Sequence, residues 1–444
     1  MTLVAPVPCP CRGGHRREGG AAPRTAVRTA DAARRAGTVR RVALISFHTS
    51  PTAVPGEGDA GGMNVYVASV AAALARHGVA VDVYTRDDGA GPAAEPIAPG
   101  VVVRRVQAGP RRAVPKARLA ALAGQFAAEL AKAERPDVVH SHYWLSGLAA
   151  LGVTRQWGVP HVLSLHTVAS LKISHLAPGD APEPQERLEA ERRLVAGSDL
   201  VVAATEAERL AILADGRGRT VEPVAERVIV LPPGVDTQRF RPGPGPEDGD
   251  LPARAGRPQG YVLQVGRVQP LKGQDLAILA LAKLPAAARP VLVLTGEPAP
   301  DHKDYGAYLR RLVARLGLGP DVVFLGARRP DQLVRLYRGA RAVLMPSRSE
   351  TYGLVASEAA ACGTPVIASA TTGLRYSVED GVTGLLVEGR DPGLWAGALA
   401  RVIGSPELAR RLGRAGVERA RRLTWDHTAE RLLDAYQALV RPAA

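Results

Sequence analysis

Twice along this chain, short apolar runs alternate with longer stretches of helical period, and a proline-crowded stretch separates the two series. In the first series the runs are Val42–Ser46, Val79–Thr85, Val101–Val106, Asp137–His140, His161–His166, Leu200–Ala204 and Val228–Leu231, with helical patterns such as Met63–His77 and Leu119–Ala133 between them. Continuous apolar runs of this length, bounded by helices, are what a parallel sheet buried on both faces requires. Residues 232–259 break the rhythm with Pro232, Pro233, Pro242, Pro244, Pro246, Pro252 and Pro258. Proline denies the ladder an N–H donor and punctuates the chain, so the stretch reads as a hinge. The alternation then resumes in Tyr261–Val265, Val291–Thr295, Val322–Leu325, Ala342–Pro346, Pro365–Ala368 and Gly384–Val387. The expected fold is α/β: two doubly wound, Rossmann-like domains. Ligands bind beyond the carboxyl ends of such strands, so two facing edges would make one interdomain cleft.

The expected boundaries are a basic tail at 1–38, a first domain at 39–232, a hinge at 233–259 and a second domain at 260–423. A C-terminal helix at 424–444 should return to the first domain. The net charge of +14 invites a nucleic-acid partner, but its distribution argues otherwise. Nine arginines face only Glu18 and Asp31 within residues 1–41, so half of the excess lies in a Gly/Pro/Ala/Arg tail without apolar periodicity, expected to be disordered. Aromatic residues make up only 4%, too few to suggest a base-stacking surface. No apolar run approaches the roughly 18 residues of a membrane span. Three cysteines (Cys9, Cys11 and Cys362) make no disulfide framework, and a cytoplasmic setting is expected. Expected partners are small-molecule substrates and, at most, a second copy of the chain in a homodimer.

Polar residues gather where strands end. Ser46–Ser50 leaves the first strand, and Pro55–Asn64 forms a glycine-rich loop before the first helix. Such a loop lets backbone approach a ligand, and a helix N-terminus favours phosphate; a tight structural turn is the alternative. His48, His140, His142 and His166 sit at strand ends without the paired spacing of a zinc site. Arg267 and Lys272 flank the turn after the second domain's first strand, where a planar fork and a point charge can share one diphosphate. Lys272 is one of only six lysines among 57 basic residues, which favours a specific role for its ammonium. Glu350 and Glu358 stand eight residues apart, one in a loop and one inside the following helix, suited to accept from sugar and ribose hydroxyls.

The Arg267/Lys272 turn and the Glu350–Glu358 pair, followed by Gly363-Thr364-Pro365-Val366, resemble the retaining GT-B glycosyltransferases of family 4 over roughly residues 40–440. More narrowly, His48–Pro51, Gly58–Tyr66, His140–Gly147, Gly179–Pro184 and Arg187 resemble the D-inositol 3-phosphate glycosyltransferases of mycothiol biosynthesis. That family transfers N-acetylglucosamine from UDP-N-acetylglucosamine to 1D-myo-inositol 3-phosphate. The resemblance implies donor contacts at Val54, Pro55, Gly62, Arg267, Lys272, Arg328, Glu350 and Glu358. It implies acceptor contacts at His48, Asp59, Ala60, Gly61, Gly62, Met63, Asn64, Lys116, Tyr143, Thr167 and Arg187. Lys116, Tyr143, Thr167 and Arg187 would hold the phosphate, while Arg267, Lys272, Glu350 and His166 would carry catalysis. It further implies a magnesium ion near Tyr337, Arg338, Ala340 and Thr364. Around Lys116, and after His166-Thr167, the sequence departs from the family pattern. A family 4 enzyme acting on a phosphatidylinositol-type lipid is therefore carried as the alternative, favoured by the basic run from Arg104-Arg105 to Arg118. A non-catalytic binding protein is disfavoured by the intact Arg267, Lys272, Glu350 and Glu358.

Overall fold

The computed structural model describes residues 38–440, apart from Glu57, Pro178, 216–221, 247–250, 252–257 and Thr372. Nearly all of the basic tail, with Cys9 and Cys11, and much of the stretch read as a hinge therefore lie outside the described residues.

The first sheet comprises β1 (Arg41–Ile45), β2 (Ala80–Arg86), β3 (Ala94–Ala98), β4 (Val101–Val106), β5 (Val138–His142), β6 (His161–Ser164), β7 (Leu200–Ala203) and β8 (Val228–Val230), in the order β3-β4-β2-β1-β5-β6-β7-β8. Every pairing is parallel except β3 with β4. β3, Ala-Glu-Pro-Ile-Ala, is absent from the sequence reading. Its proline and its lack of an apolar run are tolerated because it forms the sheet's edge. The second sheet comprises β9 (Tyr261–Val265), β10 (Val291–Thr295), β11 (Val322–Phe324), β12 (Val343–Met345), β13 (Val366–Ser369) and β14 (Gly384–Val387), all parallel, in the order β11-β10-β9-β12-β13-β14. In both sheets the order reverses beside the first strand, between β1 and β5 and between β9 and β12. Those two switch points open onto the cleft.

The helices that matter for the site are α1 (Gly62–Arg76), α2 (Trp144–Trp157), α3 (Gln185–Gly197), α4 (Gln274–Lys283), α5 (Pro330–Gly339), α6 (Leu354–Ala361), α7 (Pro406–Arg422) and α8 (Trp425–Val440). α8 packs on α1 in the first domain: Trp425, Ala429, Leu432 and Tyr436 share a buried cluster with Tyr66, Val67, Val70 and Leu74. The chain thus crosses between domains twice. The crossings touch, because the Val235 N–H donates to the Leu423 carbonyl at 2.8 Å. A Cβ on Gly234 would lie 2.3 Å from the Trp425 nitrogen, so only glycine lets these backbones pass. The stretch read as a hinge accordingly divides. Residues 232–235 make the crossing, whereas Phe240 packs into the second domain, its ring 6.0 Å from that of Tyr337.

The first domain buries a carboxyl, that of Glu208. Glu208 closes a capping arrangement, receiving the Ala204 N–H at 2.6 Å while its own N–H donates to the Thr205 hydroxyl at 3.2 Å. Burial pushes its pKa up to about 7, against the lowering effect of the Ala204 N–H. Because the folded pKa is raised, its stabilising contribution is complete below the unfolded carboxylate value and is lost as pH rises through about 7. Glu208→Gln keeps an acceptor for Ala204 and cannot ionise. The drop in melting temperature between pH 5 and pH 8 is therefore expected to be smaller in the variant, and an unchanged drop would contradict the assignment.

Candidate active site

The cleft is built from both switch points. His48 follows β1, the glycine-rich loop runs into α1, and Tyr143, His166 and Thr167 follow β5 and β6. From the second domain come Arg267 and Lys272 after β9, Arg328 after β11, and Glu350, Thr351 and Glu358 around the start of α6. Residues from 48 to 425 thus share one cavity.

On the donor-domain side the Lys272 ammonium donates to Glu350 Oε1 at 2.5 Å, and the Ser347 hydroxyl donates to the same oxygen at 2.8 Å. Gly353 precedes α6 with φ +95, a left-handed turn that aims the helix N-terminus, with its unpaired N–H groups, at the cleft. Glu358 lies within α6 and accepts a hydrogen bond from the Tyr337 hydroxyl at 2.8 Å; burial pushes its pKa up to about 7.

The first domain supplies a cationic pocket. The Lys116 ammonium lies 4.9 Å and the Arg187 guanidinium 4.8 Å from the centroid of the Tyr143 ring. The His48 ring packs against the same tyrosine, tilted by 44° with centroids 4.7 Å apart. Burial, then the positive charges of Lys116, Arg187 and Arg267 around it, hold the His48 imidazole neutral, well below its usual range. The segment leading to Lys116 is fixed by the Arg86 guanidinium, which donates to the carbonyls of Pro110 at 2.9 Å and Arg112 at 2.7 Å. Asp59 stands between the halves, 3.5 Å from Arg267 and 4.0 Å from Lys116. It is the carboxylate shared by Arg267 of the second domain and Lys116 of the first.

Two assignments need correction. Arg187 does not line the cleft: it is 1% exposed and sits behind the wall. It donates to Glu191 at 2.7 Å, to Glu183 at 2.8 Å and to the Thr167 carbonyl and hydroxyl at 2.6 and 3.0 Å. Its guanidinium therefore fixes Thr167 and Tyr143 from behind. Val54 adjoins the cleft through Pro55 without lining it. Asn64 lines it as expected, and its amide also pins the first loop, donating to Thr49 Oγ1 and the Ser50 carbonyl and accepting from the Gly61 N–H.

The four residues linked to magnesium are gathered around the end of α5, away from the cleft. The Tyr337 carbonyl already accepts the Thr364 hydroxyl at 2.6 Å and the Ala340 N–H at 3.1 Å, and the Arg338 guanidinium donates to the Arg241 carbonyl. No carboxylate belongs to this donor set, and magnesium usually binds through carboxylates and waters in near-octahedral geometry. The residues present do not fit the ion. Among the described residues, no group of three or more His, Cys, Asp or Glu could hold a metal.

Of the four strand-end histidines, His48 and His166 reach the cleft. His140 and His142 share one face of β5, as alternation requires, and are buried behind the wall. His140 Nδ1 lies 2.6 Å from the Tyr436 hydroxyl, and His142 Nδ1 lies 2.9 Å from His166 Nε2. Thr351 escaped the sequence reading, although its hydroxyl donates to the His166 carbonyl at 2.5 Å and ties the two domains together. A partner 185 residues away leaves no local pattern to find.

Comparison with known proteins agrees with this architecture. A family model described as "Glycosyl transferase 4-like domain" matches residues 61–234, and one described as "Glycosyl transferases group 1" matches residues 253–419. The structure of sucrose-phosphate synthase from Thermosynechococcus elongatus superposes with a TM-score of 0.80 at 32% identity, covering 90% of this chain and 99% of that one. Anabaena HepE in complex with UDP and glucose shares the fold, with a TM-score of 0.69 at 21% identity over 90% of this chain and all of that one. Fold and site together define a GT-B glycosyltransferase. The D-inositol 3-phosphate glycosyltransferase of Acidothermus cellulolyticus is 43% identical over 420 residues, 90% of each protein. Its counterpart in Mycolicibacterium smegmatis is 43% identical over 410 residues, 90% of this chain and 91% of that one. The chain belongs to the D-inositol 3-phosphate glycosyltransferase family. No helix among the described residues is long and apolar enough to cross a membrane.

Proposed function

We propose that this chain transfers N-acetylglucosamine from UDP-N-acetylglucosamine to 1D-myo-inositol 3-phosphate in the cytoplasm, with retention of anomeric configuration, as a step of mycothiol biosynthesis. The observation that carries the acceptor assignment is the cluster of Lys116 and Arg187 over the Tyr143 ring, with His48 and Thr167 beside it, on the first domain's edge of the cleft. Such a pocket suits a compact dianion: Lys116, Tyr143 and Thr167 reach it directly, and Arg187 adds charge from behind.

Arg267, Lys272 and the α6 N-terminus receive the donor diphosphate, where negative charge grows as the bond from the sugar C1 to the phosphate oxygen breaks. Glu350, oriented by Lys272 and Ser347, accepts from sugar hydroxyls, and Glu358, oriented by Tyr337, accepts from the ribose. The acceptor hydroxyl approaches C1 on the face the diphosphate leaves. A new C1–O bond forms, and the hydroxyl proton passes to the departing phosphate oxygen. Retention then needs positioning and electrostatics rather than a carboxylate nucleophile. No step is assigned to magnesium, because the residues around Tyr337 do not suit it.

The lipid reading is the weaker one. Arg104 pairs with Asp82 at 2.6 Å, Arg105 with Glu95 at 2.9 Å and Arg111 with Asp87 at 2.6 Å. Half of the six basic residues in this run are thus paired, with Asp82 shared with Arg41, which lessens the run's attraction for an anionic bilayer. The mechanism is tested by the stereochemistry of the product. With UDP-N-acetylglucosamine and 1D-myo-inositol 3-phosphate, the anomeric proton coupling should report an α linkage. A β-linked product would overturn the same-face mechanism.

A further inference from the structure

Only two non-glycine residues among those described have positive φ, Tyr143 at 78° and His166 at 60°. Both sit just past adjacent strands at the cleft edge, where strained backbone commonly accompanies function. His166 is unusually constrained. Its carbonyl receives the Thr351 hydroxyl from the other domain, its ring meets Tyr66 edge-on at 4.9 Å, and its Nε2 lies 2.9 Å from His142 Nδ1.

His142 is fully buried, at 0% exposure, and packs against His140 with ring centroids 4.2 Å apart. Burial drives both partners of the His142–His166 contact below the usual histidine range, His166 to about 3, so each ring is neutral at physiological pH and carries one N–H. A single proton then lies between the rings, and two arrangements are open. If His166 Nε2 donated, His142 would carry its proton on Nε2. That atom is buried with no hydrogen-bond partner, and an orphaned buried N–H is among the rarest features of folded proteins. If His142 Nδ1 donates, the orphan is only a lone pair, which is tolerated better. His166 must then hold its own proton on Nδ1.

We infer that His142 is a positioning residue that fixes His166 in its Nδ1–H tautomer and so makes His166 a hydrogen-bond donor, rather than an acceptor, to an oxygen of the bound donor sugar. His166 then binds and orients without transferring a proton, and its catalytic contribution depends on a residue that never touches substrate. The sugar contact rests on the function proposed above; the tautomer does not.

The experiment joins a spectroscopic and a kinetic arm. In the full-length enzyme labelled with ¹⁵N-histidine, two-bond nitrogen–proton correlations should place the His166 proton on Nδ1. An Nε2–H pattern in the wild type would overturn the inference whatever the substrate is. His142→Leu should cost about tenfold in transfer kcat/KM, with UDP affinity held, and should shift His166 towards the Nε2–H tautomer. His142→Asn, whose amide can stand near the place of Nδ1 and donate, should recover most of the rate and the Nδ1–H signature. Asn performing as poorly as Leu, with the fold intact by melting temperature, would contradict the donor role. An Nδ1–H tautomer in an enzyme that does not use N-acetylglucosamine would refute the proposed substrate and leave the assignment of His142 standing.

Discussion

Replacing Lys272 with alanine is expected to lower the transfer rate by about 1,000-fold, the upper range for removing one preorganised group that faces developing negative charge. Lys272 sits in a turn at the C-terminal edge of β9, and its ammonium is 2.5 Å from Glu350 Oε1. The substitution therefore does two kinds of damage. It withdraws a cation from the diphosphate, and it leaves the Glu350 carboxylate to repel that diphosphate. Arg267→Ala should produce a comparable loss for a different reason, since Arg267 is the cation nearest Asp59 from the donor domain. Lys272→Arg should recover little. A planar fork matches a carboxylate bidentately, which favours capture by Glu350 over delivery of a point charge to phosphate. Single-turnover rates with saturating donor test the series. A near-normal rate for Lys272→Arg would show that any positive charge suffices.

The second large effect is expected at Arg187. Its guanidinium is buried between Glu183 and Glu191 and also donates to Thr167. Removing one partner from a buried charged network costs about 3–5 kcal/mol, because the remaining carboxylates lose their compensation. For a domain of this size, that corresponds to a melting temperature lower by roughly 10 °C. Arg187→Ala should also release Thr167 and the Tyr143 ring, raising the acceptor KM by roughly 10- to 100-fold while slow donor hydrolysis persists. A change in KM without thermal destabilisation would mean that Arg187 faces substrate directly. Thermal destabilisation without a change in KM would confine it to the fold.

How far the sequence could be read depended on the range of the interactions concerned. Buried parallel strands announce themselves as apolar runs, so β1, β2 and β9 to β14 were legible within a residue or two. The edge strand β3, which carries a proline and is half exposed, was not. Arg267, Lys272, Glu350 and Glu358 were recognisable as a set because each pair is local, five and eight residues apart, on turns that the strand pattern fixes. Arg187 was recognised as a basic residue near a helix start, but its direction was hidden. The ion pairs that turn it away from solvent come from Glu191, which reads as an ordinary helix-surface charge, and from Glu183, in the Gly/Pro-rich stretch before the helix, and neither residue type announces such a pairing. The strand-end histidines were visible, whereas the division between cleft-facing His166 and buried His142 depended on β5 and β6 lying side by side. The crossing at residues 232–235 depended on a partner nearly 190 residues away, beyond any local pattern.

The measurement that bears most directly on the account is acceptor discrimination. With UDP-N-acetylglucosamine as donor, kcat/KM is compared for 1D-myo-inositol 3-phosphate and for unphosphorylated inositol in the wild-type enzyme and in Lys116→Ala. The cationic pocket around Tyr143 predicts that the phosphate is preferred by at least about 100-fold, since charge-assisted bonds to a phosphate have no counterpart in the neutral acceptor. Most of that preference should disappear in Lys116→Ala. Equal efficiency with the two acceptors, or a preference unchanged by loss of the Lys116 ammonium, would contradict the assignment of inositol phosphate to this cleft.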